Sequence, residues 1–157
     1  YLSTWAFLVK TQAVCIHGED LAVGLKPYRV GPELMAEAMY LRARMRLYEQ
    51  RLERDAGARE LKMTCQWMMK ALVRAAFDLT LDKGGVYTRD LLPCYTTFAQ
   101  FYPERARDCE RALQWAIAPI AEVHAQRDLA LNFGAWISAE CERLVRLHGI
   151  DPSRYTL

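Results

Sequence analysis

Three cationic residues, Lys70, Arg74 and Arg89, flank a pair of adjacent glycines and are the main candidates for chemistry in this 157-residue chain. Lys70 and Arg74 are four residues apart, which places them on one face of a helix. Arg89 returns beside them if the turn at Gly84 and Gly85 is tight. Cations arranged in this way bind phosphate oxygens and stabilise the charge that develops on a leaving pyrophosphate. The alternative is a set of surface cations that are solvated or paired with acids.

The apolar pattern around these cations predicts the helices that position them. Apolar residues at alternating spacings of four and three, from Leu61 to Leu79, predict a helix that reaches about Asp82. The glycine pair ends this helix, because glycine readily adopts the left-handed conformation that closes a helix. Thr88 is then expected to cap the next helix.

The rest of the chain also has helical periodicity. We expect further helices over residues 2 to about 17, 32 to about 55, about 94 to 102, 103 to about 119 and about 120 to 148. Pro93 is expected to form a turn before the helix that begins at about residue 94. The helix from residue 32 and the helix through Lys70 would each be about 35 Å long and would pack as antiparallel neighbours. No stretch alternates for long enough to propose a strand. The sequence therefore predicts an all-α fold, an antiparallel helical bundle of about five to six helices in a single domain, 1–157.

Composition narrows the class of protein. The chain is 52% hydrophobic and 25% charged, as in soluble globular proteins, and its net charge of +2 does not indicate a nucleic-acid partner. No apolar run approaches the roughly 20 residues of a membrane-spanning helix, so no membrane partner is expected. The five cysteines form no Cys-x-x-Cys pair, which favours reduced, buried thiols in a cytoplasmic protein: Cys15, Cys65, Cys94, Cys109 and Cys141.

Motifs for other chemistries are absent or weak. The chain has no P-loop and no Gly-x-Gly-x-x-Gly, the glycine motifs that bind phosphates. It also has no Asp-x-Asp, so it contains no recognisable carboxylate centre for a metal. Its three histidines stand alone and are interpreted as surface or capping residues. Arg143 and His148 fit the Arg-x-x-x-x-His spacing of HEPN ribonuclease toxins. An unbroken helix would hold these two about 140° apart, so a shared site would need a distorted helix or a dimer.

Four short motifs occur in order along nearly the whole chain. They are Val-Cys-Ile-His-Gly-Glu-Asp-Leu at 14–21, Leu-Val-Arg-Ala-Ala at 72–76, Lys-Gly-Gly-Val-Tyr-Thr-Arg-Asp at 83–90 and Tyr-Pro at 102–103. This order resembles the C-terminal helical domain of nucleotidyltransferases related to streptomycin/spectinomycin adenylyltransferase. By resemblance, Arg74 and Arg89 match the basic residues with which that family contacts phosphates.

The resemblance implies a function that this chain would perform only with a partner. In that family an N-terminal nucleotidyltransferase domain carries the metal-binding carboxylates, while the helical domain holds a small-molecule acceptor and lends cations to the phosphates of ATP. The implied cofactors are ATP and Mg²⁺, and the chain is expected to be the C-terminal part of a longer protein and inactive alone. The family's acceptor-binding tryptophan and aspartates are not reproduced at 53–64, where Asp55 and Glu60 are the acidic candidates.

Two functions of other classes remain open. A non-catalytic helical interaction module would need only the bundle pattern, and its cations would then be ordinary surface residues. A HEPN-like ribonuclease domain would use Arg143 and His148.

Overall fold

The computed structural model describes residues 2–27, 29–53, 57–83 and 85–151, and side chains from residue 6 onward. Within these ranges the chain forms seven α-helices and no strand, so the predicted all-α helical bundle is confirmed. The helices are α1 (Leu2–Gln12), α2 (Ala36–Met39), α3 (Leu41–Leu52), α4 (Ala58–Asp78), α5 (Leu91–Phe101), α6 (Ala106–Ile117) and α7 (Val123–Leu147). Short 3-10 turns cover Leu21–Gly24, Pro32–Leu34, Leu81–Lys83 and Pro103–Arg105.

Helix α4 is the central element of the bundle. It contacts α2, α3, α5, α6 and α7. From Met68 to Asp78 every residue is buried except Lys70 and Arg74. A helix that is apolar on nearly all sides is typical of a core position. Lys70 and Arg74 are therefore the only side chains between Met68 and Asp78 that reach the surface.

The helix predicted from residue 32 to about 55 is divided into three pieces. A 3-10 turn at Pro32–Leu34 precedes α2 and α3, and α3 alone is 12 residues, or ~18 Å, long. The predicted length of about 35 Å is therefore wrong for this helix. Apolar residues that recur at spacings of three and four along it are nevertheless buried, since the short pieces keep nearly the same face toward the core: Leu34, Ala38, Leu41, Tyr48 and Leu52.

Several other helix ends differ from the prediction. α1 ends at Gln12, so that Val14 and Ile16, which follow it, are 82% and 95% exposed. α4 ends at Asp78 and continues only as a 3-10 turn. Pro93 lies in the first turn of α5 and does not interrupt it, because a first-turn residue has no intrahelical partner for its N–H.

The predicted cap of α5 is wrong. Asp90 is the residue that precedes the helix, and the Thr88 hydroxyl oxygen instead accepts a hydrogen bond from the N–H of Asp90 at 3.1 Å. Two apolar residues, Ile117 and Leu147, are 70% and 65% exposed because each is the last residue of its helix. Apolar side chains at the ends of helices are thus exposed, because the neighbouring helices no longer cover them.

The cysteine prediction is largely confirmed. All five thiols are free, four of them are buried and Cys15 is exposed. Among the helices in the described ranges, none has both the length and the apolar character needed to cross a bilayer.

Candidate functional site

Lys70 and Arg74 stand at the centre of the candidate site, which we call the cationic corner. The corner consists of these two residues with Glu37, Arg44, Asp78 and Arg89. Lys70 and Arg74 are half-buried and lie one turn apart on α4, ~6 Å along its axis. No carboxylate in the described ranges forms an ion pair with either of them. Their charges are therefore not matched by acids of the described chain.

Arg89 comes back beside Arg74, as a tight turn would require. The Arg74 Nε donates a hydrogen bond to the main-chain carbonyl oxygen of Arg89 at 3.2 Å. Gly85, between them, has a φ of 121°, a conformation that residues with a Cβ rarely adopt. Burial raises the pKa of the nearby Cys94 thiol to about 12, and the charges of both arginines act on that thiol in the opposite direction. Both guanidinium groups thus lie close to the same side chain.

Glu37 is the acid that faces these arginines. Its side chain is 12% exposed, and the Arg89 guanidinium donates to its Oε1 at 3.2 Å. Arg44 approaches Oε2 to 2.8 Å, as an ion pair without hydrogen-bond geometry. One carboxylate is therefore shared between two guanidinium groups, and Arg89 is partly neutralised while Arg74 is not.

Asp78 holds Glu37 in place from beneath. It is 2% exposed, and its Oδ2 accepts hydrogen bonds from the backbone N–H groups of Glu37 at 2.7 Å and Ala38 at 3.2 Å. These N–H groups belong to the first turn of α2, where helices lack internal partners, so Asp78 caps a helix that is distant in sequence. Burial, followed by the charge of Glu37, raises the pKa of Asp78 well above its usual range. Burial and the charge of Glu37 thus favour the neutral acid, while the two capping N–H groups act in the opposite direction.

The sequence analysis missed Glu37 and Asp78. Asp78 ends an otherwise apolar run, Ala-Leu-Val-Arg-Ala-Ala-Phe-Asp, and a single acid at such a place was the available signal. Glu37 had no comparable signal, because its role depends on a contact with Asp78, 41 residues away.

The acidic acceptor candidates do not belong to this corner. Glu60 is exposed in the first turn of α4, 14 residues before Arg74 and thus ~20 Å away along the helix. Asp55 lies outside the described residues. The structure thus brings Lys70, Arg74 and Arg89 to one region and leaves Glu60 apart from it.

A second group of charges includes two residues of the 3-10 turn that follows α4, and we call it the paired corner: Asp82, Lys83, Tyr102, Glu140, Arg143 and His148. The Asp82 Oδ2 is 2.9 Å from the Lys83 ammonium and 3.4 Å from the His148 Nε2. Arg143 donates two hydrogen bonds to Glu140, at 2.8 and 2.6 Å, and these lower the pKa of Glu140. Each acid here has its own cation.

The Arg-x-x-x-x-His spacing falls within this paired corner. α7 ends at Leu147, so His148 is no longer part of a continuous helix and can turn toward Asp82. The hydrogen bonds to Glu140, with smaller effects from the charges of Tyr102 and Asp82, raise the pKa of Arg143. The two residues of the spacing therefore contact different acids, Arg143 contacting Glu140 and His148 contacting Asp82, within one copy of the chain.

The described residues offer no ready site for a metal. Within ranges 2–27, 29–53, 57–83 and 85–151, no group of three or more His, Cys, Asp or Glu side chains is arranged to hold an ion.

Comparison of the chain with protein-family models, with curated proteins and with solved structures gave no match in any of the three. The nucleotidyltransferase resemblance therefore depends on the ordered motifs alone and stays a prediction.

Proposed function

We propose that this chain is the helical domain of a nucleotidyltransferase, in which Lys70, Arg74 and Arg89 contact the phosphates of ATP. The observation that carries the proposal is the contact between Arg74 and Arg89, which joins two guanidinium-bearing residues on either side of the glycine turn. Together with Lys70 they present more positive charge than the nearby acids neutralise. Such a group suits a triphosphate, whose oxygens accept several charge-assisted hydrogen bonds at once.

The role of these residues would be electrostatic. Nucleotidyl transfer releases pyrophosphate, and fixed cations that face the leaving group stabilise the charge that develops on it. Mg²⁺ would supply further charge neutralisation, held by carboxylates of an N-terminal nucleotidyltransferase domain. That domain and a small-molecule acceptor are the proposed partners.

Titration of ATP with Mg²⁺ into the full-length protein, which carries the nucleotidyltransferase domain that the proposal requires, tests the proposal. We expect the Arg74→Ala, Arg89→Ala double variant to bind ATP at least about tenfold more weakly, because hydrogen bonds to charged groups contribute roughly 1.5–3 kcal/mol each. The matched control is the Arg107→Ala, Arg111→Ala double variant, which removes two exposed cations from α6. Equal ATP affinity in the parent and the first variant would contradict the proposal and favour a non-catalytic interaction module.

A HEPN-like ribonuclease is the second candidate, and one observation favours it. The His148 Nε2 is 3.4 Å from the Asp82 carboxylate, as in an acid–base group oriented by a carboxylate. RNA cleavage that is lost in His148→Ala would support this function. An Arg143→Ala variant that cleaves RNA as fast as the parent would remove it.

A further inference from the structure

We infer that a groove on the first half of α4 binds a small organic anion, at a position separate from the cationic corner. The α4 groove has a volume of about 370 Å³, within the range of small-molecule sites. Its lining residues are Ala58, Arg59, Lys62, Met63, Gln66 and Pro119.

The surface of the groove is largely apolar. Met63 is 62% exposed, a high value for a large apolar side chain, and lies with Ala58 and Pro119 along the groove. A ligand that covers these side chains would gain free energy from the apolar area it removes from water. The ligand is therefore expected to have an apolar body.

The charges at the groove are of one sign. Arg59 and Lys62 are exposed, and neither forms an ion pair with an acid of the described ranges. The acids close to these segments in sequence, Glu60 and Glu122, do not line the groove. Charge complementarity therefore selects an anion, and both phosphate and carboxylate groups match the donors of arginine and lysine.

The groove is preformed by a contact between two helices. The Gln66 side-chain N–H donates to the main-chain carbonyl oxygen of Ala116 at 3.1 Å, which fixes the end of α6 against α4. Ligand binding would thus require little movement of α4 and α6 relative to each other.

The groove and the cationic corner are different places on one helix. Lys62, Gln66, Lys70 and Arg74 follow one another at spacings of four along a single ridge of α4. Lys62 and Arg74 are 12 residues apart, or ~18 Å along the axis. An organic anion of groove size would not reach Arg74, so this inference does not depend on the proposed function.

Nuclear magnetic resonance of methionine methyl groups tests the inference at the groove itself. The chain is labelled at its methionine methyls, and the Met63 signal is assigned with the Met63→Leu variant. The probes are 2-naphthoate, 2-naphthyl phosphate and, as an oppositely charged control, 1-naphthylmethylammonium. We expect the Met63 signal to shift saturably with both anions and not with the cation, and the tighter anion identifies the preferred acid group.

Variants separate charge recognition from apolar adsorption. We expect Arg59→Ala with Lys62→Ala to weaken anion binding at least about tenfold. Lys26→Ala with Arg146→Ala removes the same charge from exposed positions outside the groove and is expected to leave the affinity unchanged. Equal shifts with anion and cation, no shift with any probe, or equal loss in both double variants would each overturn the inference. The ATP titration reports on Arg74 and Arg89, so its failure is distinguishable from this one.

Discussion

The cationic corner includes the last residue of α4, the paired corner includes the 3-10 turn that follows it, and the two corners differ in what their acids do. In the paired corner, Asp82 faces Lys83 and Glu140 faces Arg143, so each carboxylate neutralises a cation directly. In the cationic corner, the oxygen of Asp78 is bonded to the backbone of α2. Glu37 alone then faces two arginines, while Lys70 and Arg74 remain unmatched by acids of the described chain.

The difference teaches that the number of acids near a cluster is a poor guide to its charge. Two acids belong to each corner, yet one corner has an excess of positive charge and the other does not. The difference lies in the cations: the cationic corner has four for its two acids, whereas the paired corner has Lys83 and Arg143 for its two, with His148 beside Asp82. An anion would thus be attracted to the cationic corner.

The largest expected effect comes from removing the buried cap. We expect Asp78→Ala to lower the free energy of unfolding by about 2–4 kcal/mol, because two buried N–H groups of α2 lose their acceptor. Asp78→Asn keeps an acceptor oxygen without a charge, and we expect it to cost less than about 1 kcal/mol. Urea denaturation followed by circular dichroism measures both changes. If Asp78→Ala were as stable as the parent, Asp78 would not be the cap that distinguishes the two corners.

The two corners should respond to pH with opposite signs. The folded-state pKa of Asp78 is raised, so its contribution to stability is full below the unfolded pKa of about 3.9 and is lost as pH rises through the folded value. The hydrogen bonds from Arg143 lower the pKa of Glu140, so its contribution is full above the unfolded pKa of about 4.3 and is lost as pH falls through the folded value.

Denaturation across the pH range checks these signs. In the parent, the contribution of Asp78 to stability falls as pH rises above about 4, and we expect this loss to be absent in Asp78→Asn. The contribution of Glu140 falls as pH drops below about 4, and we expect this loss to be smaller in Glu140→Gln. If both variants changed the same side of the profile, the contrast between the corners would be wrong.

A smaller effect is expected on anion binding. Glu37→Gln removes the charge that offsets Arg89 and Arg44 but keeps an oxygen that accepts from Arg89. We expect it to tighten pyrophosphate binding by about tenfold, measured by isothermal titration calorimetry. The matched control is Glu140→Gln, which removes a charge from the paired corner and should leave pyrophosphate affinity unchanged. Equal tightening in both variants would show that only the total charge matters.

The smallest effect is expected at His148. Its contact with Asp82 is long, 3.4 Å, and its side chain is 31% exposed, so solvent screens the pair. We expect His148→Ala to change the free energy of unfolding by less than about 1 kcal/mol. A loss close to that of Asp78→Ala would mean that the paired corner is as important to the fold as the buried cap.

Much of the fold could be predicted from the sequence, because apolar spacing reports directly on which side of a helix is buried. The spacings from Leu61 to Leu79 correctly identified α4, the central helix. The same spacings could not reveal the division of the helix from residue 32, since the break between Met39 and Leu41 leaves the inward face intact. Periodicity reports burial more reliably than it reports helix ends.

The candidate site was only half predictable. The spacing of Lys70 and Arg74 and the glycine turn before Arg89 are local features, and the sequence placed these residues together. The contacts of Glu37 with Arg89 and of Asp78 with α2 join residues 52 and 41 positions apart, which no local pattern encodes. The unequal charge of the two corners depends on those contacts and needed the structure.

The cap by Asp78 also has a consequence for the order of folding. α2 is only four residues long, and a helix of that length is not stable in isolation. Its first turn is completed by an acid that arrives 41 residues later in the chain. We therefore expect α2 to remain unformed during synthesis until α4 has docked, so that Glu37 is positioned to pair with Arg89 only after that step.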